Sequence, residues 1–414
     1  MDGADEAAPE RGATRALVAL SALYLAQGIV AGFGSFVLIP GLASAGVDLT
    51  TQAGVLAWGG LPWVLKLAWA PLLDRVAGPQ SGLRRRAVAV ALQLCCAGVA
   101  AAMTQIDLAG DATALALLWT VLNLFVSLQD VAADTLALDA IPERRRGLAR
   151  GLMSAASHVG AGVLGSLVIA WQIGQAGYAA GIWLMAGLLA ALALGPWALR
   201  RVDLDGARRS PEGSLRGALA LLLTARRTRL GLLLALTAVL ANGATSAIAG
   251  QYFVLHLGWT VERLGAELAP VITAVQLVGY GLAAALVDRL GHGRALGLGL
   301  IGMGVTWALF GLLDASLGSS EVLYALVTLE GLTTGLMYVG LYAALMDLTD
   351  SRARATQYVL YMATINLASR VIGPLAGPPL LADLGYAGAF IAAGVTNVLI
   401  GLSALALRLS RRAG

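Results

Sequence analysis

Two aspartates, Asp130 and Asp134, lie four residues apart inside a long apolar stretch. Four residues make just over one helical turn, so both carboxylates lie on one face of the helix that we predict there. Two carboxylates in a low-dielectric environment do not both ionise readily, so one of them can hold a proton near neutral pH. The pair is therefore a candidate for binding and releasing protons.

Three further charges interrupt apolar stretches: Lys66, the only lysine of the chain, Glu330 and Arg370. A charge at the centre of a membrane helix costs about 2.5–3.5 kcal/mol, so such side chains face protein, water or each other. We predict that Lys66 and Arg370 attract the anionic part of a substrate and that Glu330 takes part in proton coupling. The sequence leaves open a structural alternative, in which these charges pair to hold neighbouring helices together.

The composition places these residues in a membrane. Hydrophobic residues make up 58% and charged residues 13% of 414 positions, whereas soluble domains carry roughly 25% charged residues. The 52 glycines fit bilayer helices whose backbones approach closely. The net charge of +4 comes from short arginine clusters between apolar runs, which indicates membrane orientation and not nucleic-acid binding. We predict an all-α membrane protein.

The apolar runs predict twelve membrane-spanning helices, since a helix needs about 20 apolar residues to cross the hydrocarbon core. The runs lie at approximately residues 16–40, 52–73, 86–106, 113–138, 148–171, 178–199, 230–256, 266–287, 293–313, 321–346, 356–378 and 386–407.

The basic residues predict the orientation of these helices. An even number of spans puts both termini on one side. If that side is the cytoplasm, all but three of the 28 basic residues fall in cytoplasmic segments, as the positive-inside rule requires. The exceptions are Lys66 and Arg370, which lie inside spans, and Arg263. We therefore predict a multi-pass protein with both termini in the cytoplasm.

The chain repeats itself in two halves. The second span ends in Asp74 and the eighth in Asp288, each followed by arginine, and Asp139 and Asp347 occupy matching places after the fourth and tenth spans. This repetition predicts two related six-helix bundles. We expect the bundles at 1–199 and 230–414, joined by a charged cytoplasmic linker at 200–229.

Particular motifs resemble the major facilitator superfamily. Residues 279–295, GYGLAAALVDRLGHGRA, look like its loop motif G-x-x-x-D-R-x-G-R. Residues 60–75, GLPWVLKLAWAPLLDR, and 127–147, SLQDVAADTLALDAIPERRRG, are similar to the AmpG-like branch, which includes muropeptide and siderophore permeases. The resemblance covers the whole chain in topology and is specific over the second and fourth spans.

The resemblance implies a twelve-helix fold of two pseudo-symmetric bundles in the bacterial inner membrane. It also implies that the protein moves a polar organic solute, siderophore-like or muropeptide-like, driven by the proton gradient. In this fold the third, sixth, ninth and twelfth helices face lipid, and the charged spans surround the cavity.

Uncharged polar residues on the cavity-forming spans are candidates for the substrate-binding wall. An interhelical hydrogen bond is the alternative for each of them, including the one intramembrane histidine among them. The candidates are Gln27, His158, Asn242, Gln251, Gln276, Tyr338, Tyr342 and Asn366.

The repeated aspartates and the neighbouring arginines predict a latch that closes the cytoplasmic side. A carboxylate there can accept hydrogen bonds from a helix N-terminus and attract arginines. Simple marking of topology is the alternative, but it does not explain an aspartate repeated in both halves. The latch candidates are Asp74, Arg75, Asp139, Arg144, Arg146, Asp288, Arg289, Arg294, Asp347 and Arg352.

These observations favour a secondary active transporter that works by alternating access. The alternative is a membrane assembly or scaffolding factor with the same fold. Neither a catalytic constellation, a metal-ligand spacing nor a nucleotide-binding motif is present in the sequence, so we predict no enzyme activity, no metal and no cofactor. The expected partners are a small-molecule substrate, protons and the lipid bilayer, with the protein as a monomer.

Overall fold

A computed structural model of the chain describes residues 3–66, 68–69, 73, 82–108, 110–141, 146–197, 225–318, 320–349 and 354–406. All regular secondary structure in these residues is helical. The α-helices are α1 Gly3–Phe33, α2 Ile39–Ser44, α3 Leu49–Val64, α4 Gly82–Met103, α5 Ala112–Ala140, α6 Arg146–Val159, α7 Ile169–Ala176, α8 Tyr178–Leu192, α9 Arg226–Thr237, α10 Leu240–Gln251, α11 Val261–Arg263, α12 Ala269–Leu290, α13 His292–Leu312, α14 Ser320–Asp347, α15 Arg354–Leu367 and α16 Gly373–Ala406.

Short π-helical segments connect several of these helices without breaking them. They are Gly34–Leu38, Gly160–Val168, Tyr252–His256, Leu264–Leu268 and Ala368–Ile372. Such bulges shift the register of side chains on a helix and are frequent at functional sites.

Ten helical segments among the described residues are long and apolar enough to cross a membrane. The difference from the predicted twelve spans arises in two places. The second span corresponds to α3 and the residues that follow it, many of which lie outside the described part. The last two spans run together as Gln357–Ala406, where Gly385, with φ 65° and ψ −179°, breaks the helical path. The multi-pass, all-helical prediction is thus confirmed, whereas the described residues do not by themselves confirm the count of twelve.

The chain forms two compact units. The first contains residues 1–45, 65–209 and 260–270, and the second contains 46–64, 210–259 and 271–414. The second unit therefore includes α3, which the sequence assigned to the N-terminal bundle by chain order. The predicted bundles at 1–199 and 230–414 stay a prediction, and most of the predicted linker, residues 200–224, lies outside the described residues.

Close backbone contact fixes the helices that carry charge. In the first unit, a Cβ atom on Gly28 of α1 would lie 2.0 Å from the carbonyl oxygen of Ser157 in α6. In the second unit, a Cβ atom on Gly60 of α3 would lie 2.6 Å from the carbonyl oxygen of Arg370. Only glycine permits these approaches, which is how small residues bring membrane helices together.

Candidate functional site

Lys66 and the two aspartates meet in the first unit. The ammonium group of Lys66 hydrogen-bonds the Oδ2 atom of Asp130, and its Nζ atom lies 3.5 Å from Oδ2 of Asp134. The predicted one-turn spacing on α5 is what lets one cation contact both carboxylates. The sequence thus identified three residues that the structure brings together.

Two further residues complete this cluster, which we call the charge network: Lys66, Asp130, Asp134, Tyr24 and Arg150. The hydroxyl of Tyr24 donates to Oδ1 of Asp134 at 2.5 Å, and Nη1 of Arg150 donates to the same oxygen at 2.8 Å. Nη1 of Arg150 also donates to the Tyr24 oxygen at 2.6 Å, and the guanidinium lies 5.5 Å from the Tyr24 ring centre. Asp134 therefore accepts from three donors.

The two aspartates differ in burial as well as in partners. The side chain of Asp130 is 8% exposed and that of Asp134 is 35% exposed. Among the described residues only Lys66 hydrogen-bonds Asp130. When both carboxylates and both basic groups are ionised, the network is neutral, which is the condition under which charges tolerate a low-dielectric surrounding.

The helices position the network through their local sequences. Helix α5 begins after Asp111, whose carboxylate caps the first turn by accepting from the Ala114 amide at 2.8 Å. Tyr24 lies one turn before Gly28, whose contact with α6 brings Arg150 within reach of the Tyr24 hydroxyl. The cap thus fixes where α5 begins, and the glycine contact fixes how closely α1 and α6 approach.

A chain of buried amides lies beside the network. Gln27 Nε2 donates to Gln129 Oε1 at 2.8 Å, Gln129 Nε2 donates to Gln93 Oε1 at 3.0 Å, and Gln93 Nε2 donates to the Leu189 carbonyl at 2.9 Å. This arrangement gives Gln27 the interhelical hydrogen bond that was the alternative to substrate contact. A substrate-binding role for Gln27 stays a prediction.

Arg370 and Asn366 meet Trp63 in the second unit. The Arg370 guanidinium lies 4.8 Å from the centre of the Trp63 ring, a cation–π geometry. Asn366 Nδ2 donates to the Trp63 carbonyl at 3.3 Å. Arg370 is exposed and lies in the π-helical segment Ala368–Ile372.

Glu330 and the predicted polar wall residues of α14 form a second group in this unit. Glu330 Oε1 accepts from the Thr334 hydroxyl at 2.8 Å. The rings of Tyr338 and Tyr342 are 5.8 Å apart, and Asn242 Nδ2 lies 3.5 Å from the Tyr338 hydroxyl. The predicted residues Asn242 of α10 and Tyr338 and Tyr342 of α14 are therefore near neighbours.

Three further predicted wall residues can be located. His158, Gln251 and Gln276 are half-buried, on α6, α10 and α12. The Gln251 Oε1 atom is buried without a hydrogen-bond partner among the described residues. Their substrate-binding roles stay predictions.

Part of the predicted latch can be located. Asp288, Arg289, Arg294 and Asp347 are exposed near helix ends, and Asp347 Oδ2 lies 2.6 Å from Nδ1 of His292. Asp74, Arg75, Arg144 and Arg352 lie outside the described residues, as do the side chains of Asp139 and Arg146.

Sequence reasoning missed Tyr24, Arg150, Trp63 and His292. Arg150 was counted among the arginines that mark the cytoplasmic side, because it ends the cluster ERRRGLAR. Tyr24 lies three residues before Gln27, hence on the same helix face, and this spacing was an available signal. The pairing of His292 with Asp347 joins residues 55 positions apart, which no local pattern reveals.

Comparison with known families gives two matches to the model of the Major Facilitator Superfamily, at residues 23–282 and 232–414. The anhydromuropeptide permease of Escherichia coli strain K12 is 26% identical to the chain over 359 residues, which are 86% of this chain and 72% of the relative. The same permease from Escherichia coli O157:H7 matches equally.

Solved structures give the same fold. The nucleoside transporter NupG aligns with a TM-score of 0.69 at 13% identity, over 96% of this chain and 100% of its own. A bacterial homologue of the human lysosomal transporter Spinster, inward-facing and unoccupied, aligns with a TM-score of 0.74 at 14% identity, over 96% of each chain. A POT family transporter in complex with 5-aminolevulinic acid aligns with a TM-score of 0.74 at 13% identity, over 96% of this chain and 97% of its own.

Proposed function

Because the chain belongs to the major facilitator superfamily, we propose that it is a proton-coupled secondary transporter of the bacterial inner membrane. The coarser assignment, a multi-pass membrane transporter of this family, rests directly on the family match and on the transporter neighbours. The finer assignment concerns the substrate, the coupling ion and the residues that use them.

The substrate class that we propose is a muropeptide-like polar solute with acidic groups. The 26% identity to the anhydromuropeptide permease over most of the chain supports this class. Lys66 and Arg370 provide cations inside apolar helices, and such cations favour an anionic solute. A siderophore-like solute is the alternative within the same transport function.

The pair formed by Lys66 and Asp130 is the observation that carries the proposal. A proton on Asp130 removes the negative charge that the Lys66 ammonium faces, so Lys66 becomes available to the acidic group of a substrate. Loss of the proton restores the pair and displaces the substrate. Proton binding and substrate binding are thereby linked through one cation, as coupled transport by alternating access requires.

The other predicted residues have supporting roles in this proposal. Asp134, the second carboxylate of the predicted proton-coupling pair, accepts from Tyr24 and Arg150, and we assign the coupled proton to Asp130. Glu330 and Arg370 supply a second carboxylate and a second cation in the other unit. Asp288, Arg289, Arg294 and Asp347 are the described members of the proposed cytoplasmic latch.

Uptake by purified protein in liposomes tests the proposed function. With an acidic exterior, the protein should accumulate an anhydromuropeptide, and a protonophore should abolish the accumulation. Liposomes without the protein provide the background. Absence of uptake under any imposed proton gradient would favour the scaffolding alternative.

A further inference from the structure

Arg150 uses only one of its nitrogen atoms in the charge network. Its Nη1 atom donates to both Tyr24 and Asp134. Its Nε and Nη2 atoms form no hydrogen bond with the described residues. A guanidinium carries five N–H donors, and the edge between Nε and Nη2 presents two of them in parallel, which matches a carboxylate.

Arg150 is also the more accessible of the two cations in the network. Its side chain is 62% exposed, whereas that of Lys66 is 27% exposed. Lys66 contacts both carboxylates, so its charge is shared between them. Arg150 therefore presents more of its side chain to an incoming anion than Lys66 does.

The charge balance of the network connects anion binding to protonation. Two carboxylates and two cations sum to zero, so a bound carboxylate would leave one excess negative charge. One proton on the network cancels it. We assign this proton to Asp130. Asp134 accepts from three donors, Tyr24, Arg150 and Lys66. Among the described residues, the hydrogen-bond partner of Asp130 is Lys66.

We propose that the Nε–Nη2 edge of Arg150 is an anion subsite that takes one carboxylate of the substrate, and that Asp130 binds one proton when this carboxylate is bound. This inference rests on the proposed transport function and adds to it a residue and a stoichiometry. Arg150 touches the substrate, Tyr24 and Asp134 hold the guanidinium in place, and Lys66 pairs with Asp130 until that carboxylate takes up the proton.

Binding to the purified full-length protein tests the subsite. The probes are an anhydromuropeptide with free carboxylates and the same compound with its carboxylates converted to amides. Arg150→Gln should weaken binding of the acidic probe at least tenfold and change binding of the amide probe less than twofold. Arg150→Lys keeps the charge but not the two-donor edge, and it should give an intermediate loss. Arg227→Gln, at an exposed arginine of α9, is the matched control and should bind both probes as the wild type does.

Proton uptake is measured in the same titrations, in buffers of different ionisation enthalpy. The wild type should take up about one proton per acidic probe that binds at Arg150, since one carboxylate adds one charge. Asp130→Asn should still bind the acidic probe but take up no proton. Proton uptake that persists in Asp130→Asn would overturn the assignment to Asp130.

An anionic lipid headgroup is the other source of an anion near Arg150, so binding is compared in nanodiscs of phosphatidylcholine with and without phosphatidylglycerol. The subsite belongs to the substrate if the Arg150→Gln effect is unchanged in pure phosphatidylcholine.

Equal binding of the acidic probe by Arg150→Gln and wild type, or no preference of the wild type for the acidic probe, overturns the proposal. If Arg150→Gln does not fold, the proposal is overturned when Arg150→Lys binds the acidic probe with wild-type affinity. Failure of gradient-driven uptake with intact acidic-probe binding would overturn the transport proposal and leave the subsite standing.

Discussion

Lys66 and Asp130 form a hydrogen-bonded ion pair between the segment that follows α3 and the middle of α5. The carboxylate of this pair is 8% exposed, so its charge depends on the lysine for compensation. Breaking such a pair by removing one partner leaves an uncompensated charge, whereas removing both partners does not. This asymmetry distinguishes the pair from a solvated surface contact.

Lys66→Met should destabilise the protein by about 3 kcal/mol, because it leaves Asp130 buried without a cation. Adding Asp130→Leu should recover more than half of this loss without recovering transport. Thermal unfolding of the single and double variants in detergent measures the coupling. Strictly additive losses would show that the two side chains do not depend on each other.

The sequence identified both residues of this pair, because charges are rare in apolar helices and four-residue spacing defines a helix face, but it offered their pairing only as the structural alternative. It did not predict Arg150, since an arginine at the end of a basic cluster has the same sequence signature whether it faces water or a carboxylate. Trp63 gave no signal either, because aromatic residues are common in membrane helices. The family motifs predicted the fold. The spacing of Tyr24 from Gln27 places Tyr24 on the predicted polar face, but its pairing with Asp134, like that of His292 with Asp347, joins distant parts of the chain.

Gln129→Leu should lower stability by about 1–3 kcal/mol, because it removes the acceptor of Gln27 Nε2 and the donor to Gln93 Oε1 in a buried site. We expect little change in the KM for uptake, since the contacts of Gln129 are with the protein. Gln27→Leu distinguishes the two roles of Gln27. If Gln27 only joins helices, this variant will resemble Gln129→Leu, and a selective rise in KM would instead indicate substrate contact.

Trp63→Leu should raise the KM for an acidic substrate roughly 2- to 30-fold, as a cation–π contact of about 0.5–2 kcal/mol orients Arg370. Trp63→Phe should retain part of the affinity because it keeps an aromatic face. Trp58→Leu, at a tryptophan of the same helix that is 55% exposed, serves as control. An unchanged KM in Trp63→Leu would remove Trp63 from the binding of the substrate.

Asp347→Asn should shift the protein towards the inward-open state about two- to fivefold, because it weakens the exposed pair with His292 by about 0.5–1 kcal/mol. His292→Gln should shift it in the same direction. The balance between inward-open and outward-open states is measured by labelling a single cysteine introduced on the cytoplasmic side. Cys95 and Cys96 are replaced by alanine in this background. An unchanged balance in both variants would contradict the latch.

Proton coupling at Asp130 is the central claim, and Asp130→Asn tests it most directly in liposomes. The variant keeps the shape of the side chain but cannot exchange a proton. Glu321→Gln, which removes an exposed carboxylate of α14, is the control and should accumulate substrate normally. Asp130→Asn should lose accumulation of an anhydromuropeptide down a pH gradient while it retains exchange of internal for external substrate. Accumulation by Asp130→Asn at the wild-type level would contradict the account.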